Sequence, residues 1–194
     1  MAEPLAPLLK EIRACRACDL PHEPRPVLQV TSRARIGVFG QAPGNLVHQS
    51  GRPFTDPSGV RLREWMGVSE EEFYEGGKIA VIPMGFCFPG YDLKGGDLPP
   101  RKECAPLWRA RLMEALPRLD LIILVGAYAQ KWHLGAENKR TLTETVANWR
   151  ACGPHYVPTP HPSWRNNAWI KKNPWFETEL LPVLRKRVRA LLDG

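Results

Sequence analysis

No apolar stretch in this chain approaches the roughly 20 residues that a membrane span requires, and its start, MAEPLAPLLKEI, lacks the basic and apolar regions of a secretory signal. A cytoplasmic protein with no membrane partner is the expectation. Cysteine is scarce, at five residues, and in a reducing compartment disulfides are disfavoured. None is needed, because 194 residues bury enough apolar surface to fold without staples. Internal repeats, low-complexity tracts and a convincing linker are also missing, so residues 1–194 read as a single domain, expected to act as a monomer. Acidic residues are the scarcer charge, 20 against 27 Lys and Arg, which leaves a net charge of +7 and a pI near 9.4. Such a balance suits a polyanionic partner, since Lys and Arg release counterions from phosphate. Much of the surplus lies in LRKRVRALL. There Leu180, Leu184, Val188 and Leu191 fall on one side of a helix and Arg185, Lys186, Arg187 and Arg189 mostly on the other, an arrangement that serves a solvated helix face equally well.

What is present is an alternation. Leu5, Leu8, Leu9 and Ile12 follow helical spacing and predict an amphipathic helix ending near CRAC, followed by a proline-rich loop, LPHEPRPVL. Four short apolar runs, RIGVFG, KIAVIP, LIILVG and HYVPTP, are rich in β-branched residues and end in Gly or Pro, as strands do. Helical patterns fall around residues 58–66, 102–116, 126–134 and 141–149, with a last helix over 174–192. Strands alternating with helices predict an α/β fold of three layers, α/β/α, around a parallel sheet. Ligands bind such sheets outside the carboxyl ends of the strands. GQAPG, PMGFCFPG, GAYA and TPHPSW all leave those ends and are expected to share one rim.

Three segments carry candidate chemistry. In GQAPG, Gly40 and Gly44 allow close approach of a ligand to the backbone around Gln41, Ala42 and Pro43; the spacing is neither a dinucleotide fingerprint nor a P-loop. GRPFTDPSG adds Phe54 in a turn-rich segment without strand or helix period, a ring placed to stack on a planar base. Asp56 either caps the helix that follows or sets a negative charge beside that base. In HPSWRNN, His161 is fixed by Pro162 at a strand end, and Ser163, Trp164, Arg165, Asn166 and Asn167 form a bulky, basic, amide-rich loop able to enter a duplex and hold phosphates.

Cysteine supplies a further pattern. Cys15 and Cys18 form C-x-x-C at a helix end, Cys87 sits in FCFPG, and Cys104 begins a helix. Four such thiols at element ends point to an iron-sulfur cluster or, second, to zinc, whose four-cysteine sites usually show two close pairs. Having neither is the remaining option. Cys152 reads as a small buried hydrophobe.

In this order, CRACDL, GQAPG, GRPFTDPSG, the cysteines of FCFPG and KECAP, and HPS resemble the uracil-DNA glycosylase superfamily, above all its iron-sulfur branch, family 4, from about Cys15 to Trp175. The resemblance implies a small four-stranded parallel sheet between helices and hydrolysis of the N-glycosidic bond of uracil in DNA, the first step of base excision repair. Phe54 matches the ring that stacks on flipped uracil, His161 the histidine that contacts uracil O2, and residues 164–167 the loop that enters the minor groove. Cys15, Cys18, Cys87 and Cys104 match the ligands of a [4Fe-4S] cluster. Two positions depart from family 4: Gln41 stands where Glu is usual, and Pro83 where an Asn reads the uracil edge. Backbone groups of Pro83, Met84 and Gly85 are expected to substitute for that Asn. PFTDPSG is closer to the FTGD segment of family 5, which assigns Asp56 the catalytic role, with Gln41 left to orient water.

Overall fold

The computed structural model describes residues 4–194. Among the described residues, one four-stranded sheet runs in the order β2-β1-β3-β4 with every pair parallel: β1 is Ile36–Phe39, β2 Ile79–Val81, β3 Leu121–Val125 and β4 Tyr156–Thr159. All five residues of β3 and all four of β1 are buried. Their unbroken apolar sequences follow from having helices on both faces, so neither face needs a polar side chain.

Because side chains alternate along a strand, the two faces divide the core. Ile36, Val38, Ile79, Val81, Leu121, Ile123 and Val157 point to one side, where they meet Leu62 and Met66 of α3 (Pro57–Met66), Phe73 of α4 (Glu70–Tyr74), Val146 of α7 (Leu142–Ala147) and Leu184 and Val188 of α9 (Leu181–Asp193). Phe39, Ala80, Ile82, Ile122 and Leu124 point to the other, against Leu8 and Ile12 of α1 (Leu5–Arg13), Leu112 of α5 (Cys104–Ala115) and Ala129 of α6 (Ala127–His133). This is the three-layer α/β/α architecture.

Three short helices go beyond the periodic patterns: α2 (Asn45–Ser50), α4 and α8 (Asn167–Lys172). Five or six residues are too few to complete an apolar repeat, so they left no periodic signal. The last predicted helix is a π-helical turn, Phe176–Leu180, running into α9. The segment read as helix around 141–149 divides into α7 and a 3-10 turn, Trp149–Cys152.

Three of the four basic residues of α9 bond within the protein. Arg189 pairs with Glu72 at 2.5 Å and donates to the Gly67 carbonyl at 2.8 Å; Arg185 donates to the Glu64 carbonyl at 3.2 Å, and Arg187 to that of Pro154. Lys78, ahead of β2, donates to the Leu192 carbonyl at 2.5 Å. The end of α9 therefore lies by the amino ends of the strands, away from the ligand-binding rim. Cys152 is buried, as expected of a small hydrophobe.

Candidate active site

A pocket opens at the carboxyl rim, lined by Gly40, Gln41, Ala42, Pro43 and Gly44 after β1, by Phe54, Asp56 and Ser58, by Pro83 after β2, and by His161 after β4. Val27, Val47 and Val81 make its apolar walls. Phe54 and Asp56, two residues apart, thus share one crevice with the distant His161. The GAYA loop does not join them: β3 turns directly into α6, whose buried Gln130 ties Leu124 and Thr159 together through their carbonyls at 3.2 and 2.8 Å.

Phe54 is held in an unusual backbone conformation, φ +55°, the one positive φ at a non-glycine among the described residues. A bulky residue there costs of order 1–3 kcal/mol and persists only when its surroundings impose it. Here they do: the Phe54 carbonyl accepts from the Tyr74 hydroxyl at 2.8 Å and from Arg63 at 3.3 Å. The ring meets Phe73 edge-on at 6.5 Å, and its tip lies 3.7 Å from where a Cβ on Gly40 would stand.

Asp56 occupies the N-cap position of α3, yet its carboxylate accepts no hydrogen bond from the helix. Its side chain faces the pocket instead. His161 is largely desolvated; burial pushes its pKa down, with the nearby Asp56 carboxylate opposing that shift. The ring is therefore neutral at neutral pH, with one N–H to donate. Asn166 fixes the backbone at this point by donating to the His161 carbonyl at 2.7 Å.

Of Pro83 to Gly85, only Pro83 lines the pocket, and the two N–H groups that follow it are engaged elsewhere. Met84 N–H donates to the Gly40 carbonyl and Gly85 N–H to the Gln41 carbonyl, each at 2.9 Å, which fastens the two loops together and takes up both donors. The Pro83 carbonyl accepts from Arg109 at 2.7 Å, and the Met84 sulfur lies 3.2 Å from the same guanidinium. Neither Met84 nor Gly85 lines the pocket, whereas Pro83 does. Arg109 is 3% exposed, and burial lowers its pKa to about 10, still far above neutrality. It is a buried cation bracing the end of β2 through the Ile82 and Pro83 carbonyls.

A broad groove adjoins the pocket. Ser163, Trp164, Arg165 and Asn166 form one side, with Arg61 of α3 donating to the Ser163 carbonyl at 3.1 Å. Trp164 is 73% exposed, a large apolar surface left in water on a loop of polar residues. Asn167 begins α8 and is exposed but does not line the groove. A hairpin, residues 90–98, also lines the groove and presents Asp97 to both groove and pocket. Asp97 and Arg61 are the residues that pattern reading missed. The only cue to Asp97 was an acid in a turn-rich loop beyond the carboxyl end of β2.

On the far side of Gly85, a second cavity is lined by Cys15, Cys18, Cys87 and Cys104 together, with Pro24, Pro26, Phe86 and Leu107 around them. Burial raises the thiol of Cys87 to about 11 and that of Cys104 to about 12; Phe86 N–H donates to the Cys104 sulfur at 3.4 Å. Among the described residues, no three His, Cys, Asp or Glu side chains form a group that could hold a metal ion as they stand. A tetrahedral zinc, with Zn–S bonds of about 2.3 Å, would draw its sulfurs to about 3.8 Å from one another. A cluster holds its ligand sulfurs further apart, around a body rather than a point. Four thiols facing one apolar cavity match the composition of a cluster's donor set.

No helix among the described residues is long and apolar enough to cross a membrane. Compared with known families, residues 28–185 match the family model described as the Uracil DNA glycosylase superfamily.

Proposed function

Because the chain belongs to the uracil DNA glycosylase superfamily, a family of hydrolases that act on DNA, we propose that it removes uracil from DNA by hydrolysing the N-glycosidic bond and so initiates base excision repair. The observation that carries this reading is the meeting of Phe54, Asp56 and His161 in one pocket beside the GQAPG loop.

The chemistry follows from charge. Breaking the bond puts positive charge on the deoxyribose and negative charge on the departing base. Asp56, at the pocket mouth, stabilises the oxocarbenium-like sugar. The neutral imidazole of His161 donates its N–H to the uracil anion as it forms. Gln41 orients water and accepts no proton from it. The base reaches this pocket only by leaving the duplex, a step costing a few kcal/mol, while stacking on Phe54 returns roughly 1–3 kcal/mol. Trp164 and Arg165 occupy the gap and the backbone beside it.

Cys15, Cys18, Cys87 and Cys104 would hold a [4Fe-4S] cluster, zinc being the alternative. What such a group supplies when bound is cross-linking rather than electron transfer. The cysteines it would join sit after α1, in the FCFPG loop and at the start of α5, and Gly85 lies between that cavity and the GQAPG loop.

Incubation with oligonucleotides carrying uracil, hypoxanthine or thymine, followed by alkali, tests the proposal. Strand scission at the former uracil is expected. DNA bound without scission at any of the three bases would instead establish a binding protein on a glycosylase fold, the reading favoured by Gln41 and Pro83.

A further inference from the structure

The pocket that would receive the base and the groove that would receive the DNA backbone share a narrow set of residues, and among these the side chains able to act on a reacting atom are Gln41, Asp56, Ser58, Asp97 and His161. With the base in one and the sugar-phosphate chain in the other, the glycosidic bond crosses this neck. Two carboxylates, Asp56 and Asp97, therefore stand on the path of the bond to be broken. Only the first belongs to a motif that marks the family resemblance.

Resting on the glycosylase reading above, we propose that Asp97 is the general base of the reaction: it takes a proton from the water that attacks C1′, while Asp56 stabilises the sugar cation. The bond between C1′ and the base nitrogen breaks with both electrons leaving on uracil. Water oxygen bonds to C1′, and its proton passes to the Asp97 carboxylate, from which it returns to the uracil anion or to solvent. The balance closes without a further reactant.

Three observations support the division of labour. First, Gln41, the polar side chain that the GQAPG loop contributes to the neck, is an amide with no basic lone pair to accept a proton, so the base comes from another element. Second, Asp97 is rigidly presented. It pairs across the hairpin with Tyr91; Leu98 N–H donates to the Gly90 carbonyl at 2.9 Å, and the tip is closed by the Asp92 carboxylate accepting from Lys94 and Gly96 N–H at 2.8 and 2.9 Å. Its Oδ2 stands 3.4 Å from where a Cβ on Gly44 would be, directly over the GQAPG loop. Third, burial raises the proton affinity of Asp97, Arg165 opposes this, and Asp56 adds to it. A carboxylate whose proton affinity is raised suits proton transfer.

The charged and titratable groups around Asp97 are Asp56 and Arg61 from the α3 side, His161 and Arg165 from beyond β4, and Asp92 on its own hairpin. The test is single-turnover uracil release by wild type and by Asp97→Asn, across pH, with binding to uracil-containing DNA measured alongside. Expected are a 10²- to 10⁴-fold slower release at neutral pH, binding within about threefold of wild type, and an acid limb of the pH profile displaced to lower pH. In Asp97→Ala, added formate should restore part of the rate, which a merely structural loss would not allow. A wild-type protein that releases no uracil overturns the glycosylase reading together with this assignment. An active wild type beside an Asp97→Asn variant within about threefold of its rate overturns this assignment alone. So does a slowed pair of variants with the acid limb unmoved and no response to formate.

Discussion

Gly59 lies directly against the carbonyl of Phe54: a Cβ at position 59 would stand 1.8 Å from the Phe54 oxygen and 2.9 Å from its Cβ. The first turn of α3 and the loop carrying Phe54 can meet this closely only because residue 59 has no side chain. The positive φ of Phe54 and the absence of a Cβ on Gly59 are two parts of one fit.

Gly59→Ala should accordingly force the Phe54 loop away from α3. The expected destabilisation is about 1–3 kcal/mol, as for other overpacking changes, and each kcal/mol lowers Tm by about 2–4 °C in a protein of this size. Uracil release should fall by at least about tenfold, more than the loss of folded protein explains, because the ring is misplaced. Thermal melting and single-turnover assay of the folded fraction measure the two effects separately.

Trp164→Ala makes the opposite demand. The side chain is exposed and packs into no core, so melting should be unchanged. Release of uracil from duplex DNA should drop by about tenfold or more, with a smaller loss on single strands, where no gap needs filling. Equal losses on both substrates would remove Trp164 from the role of wedge.

Iron and acid-labile sulfide are expected in protein purified without oxygen. Cys104→Ser should lose both and lower Tm, since Cys104 lines the same cavity as Cys15, Cys18 and Cys87. Colourless protein containing stoichiometric zinc would favour the alternative metal. DNA binding by the stripped protein then reports how far the cysteine cavity supports the rim.

Stability toward acid should depend on Glu72. Its hydrogen bonds from Arg189, aided by the Ser69 backbone, hold its pKa near about 2 rather than the ordinary 4.5. A carboxylate whose folded pKa is depressed contributes stability that is fully present above its unfolded pKa and is lost as pH falls through the folded one. Tm of wild type should therefore fall more steeply than that of Glu72→Gln between pH 4.5 and 2, and the two curves should converge at the acid end. Parallel curves would show that the ion pair joining α4 to α9 adds nothing.

Much of this architecture could be read directly from local pattern. RIGVFG and LIILVG are apolar at every interior position because both faces of the sheet are covered, and Leu8 and Ile12 are spaced to bury one stripe of α1. Even α4, missed by periodicity, was signalled by Ser69 three residues before Glu72, whose reciprocal bonds form a capping box. Basic residues on α9 were harder to interpret. Composition alone offered a partner or solvent, whereas Arg189 and Arg185 turned out to bind Glu72 and the backbone of the α3 end.

Short-range sequence determined which segments are strands and helices and which loops leave the carboxyl rim, and it marked Phe54, Asp56 and His161 as candidates, because those features follow from side-chain spacing and residue type within a few positions. Tertiary structure alone decided that Met84 and Gly85 give their N–H groups to the GQAPG loop, that Arg109 occupies the Pro83 carbonyl, and that Asp97 lines the same pocket as Asp56. Hydrogen bonds and electrostatic coupling depend on distance in space, and residues 56 and 97 are brought together only when the strand order places the loops after β1, β2 and β4 around one opening.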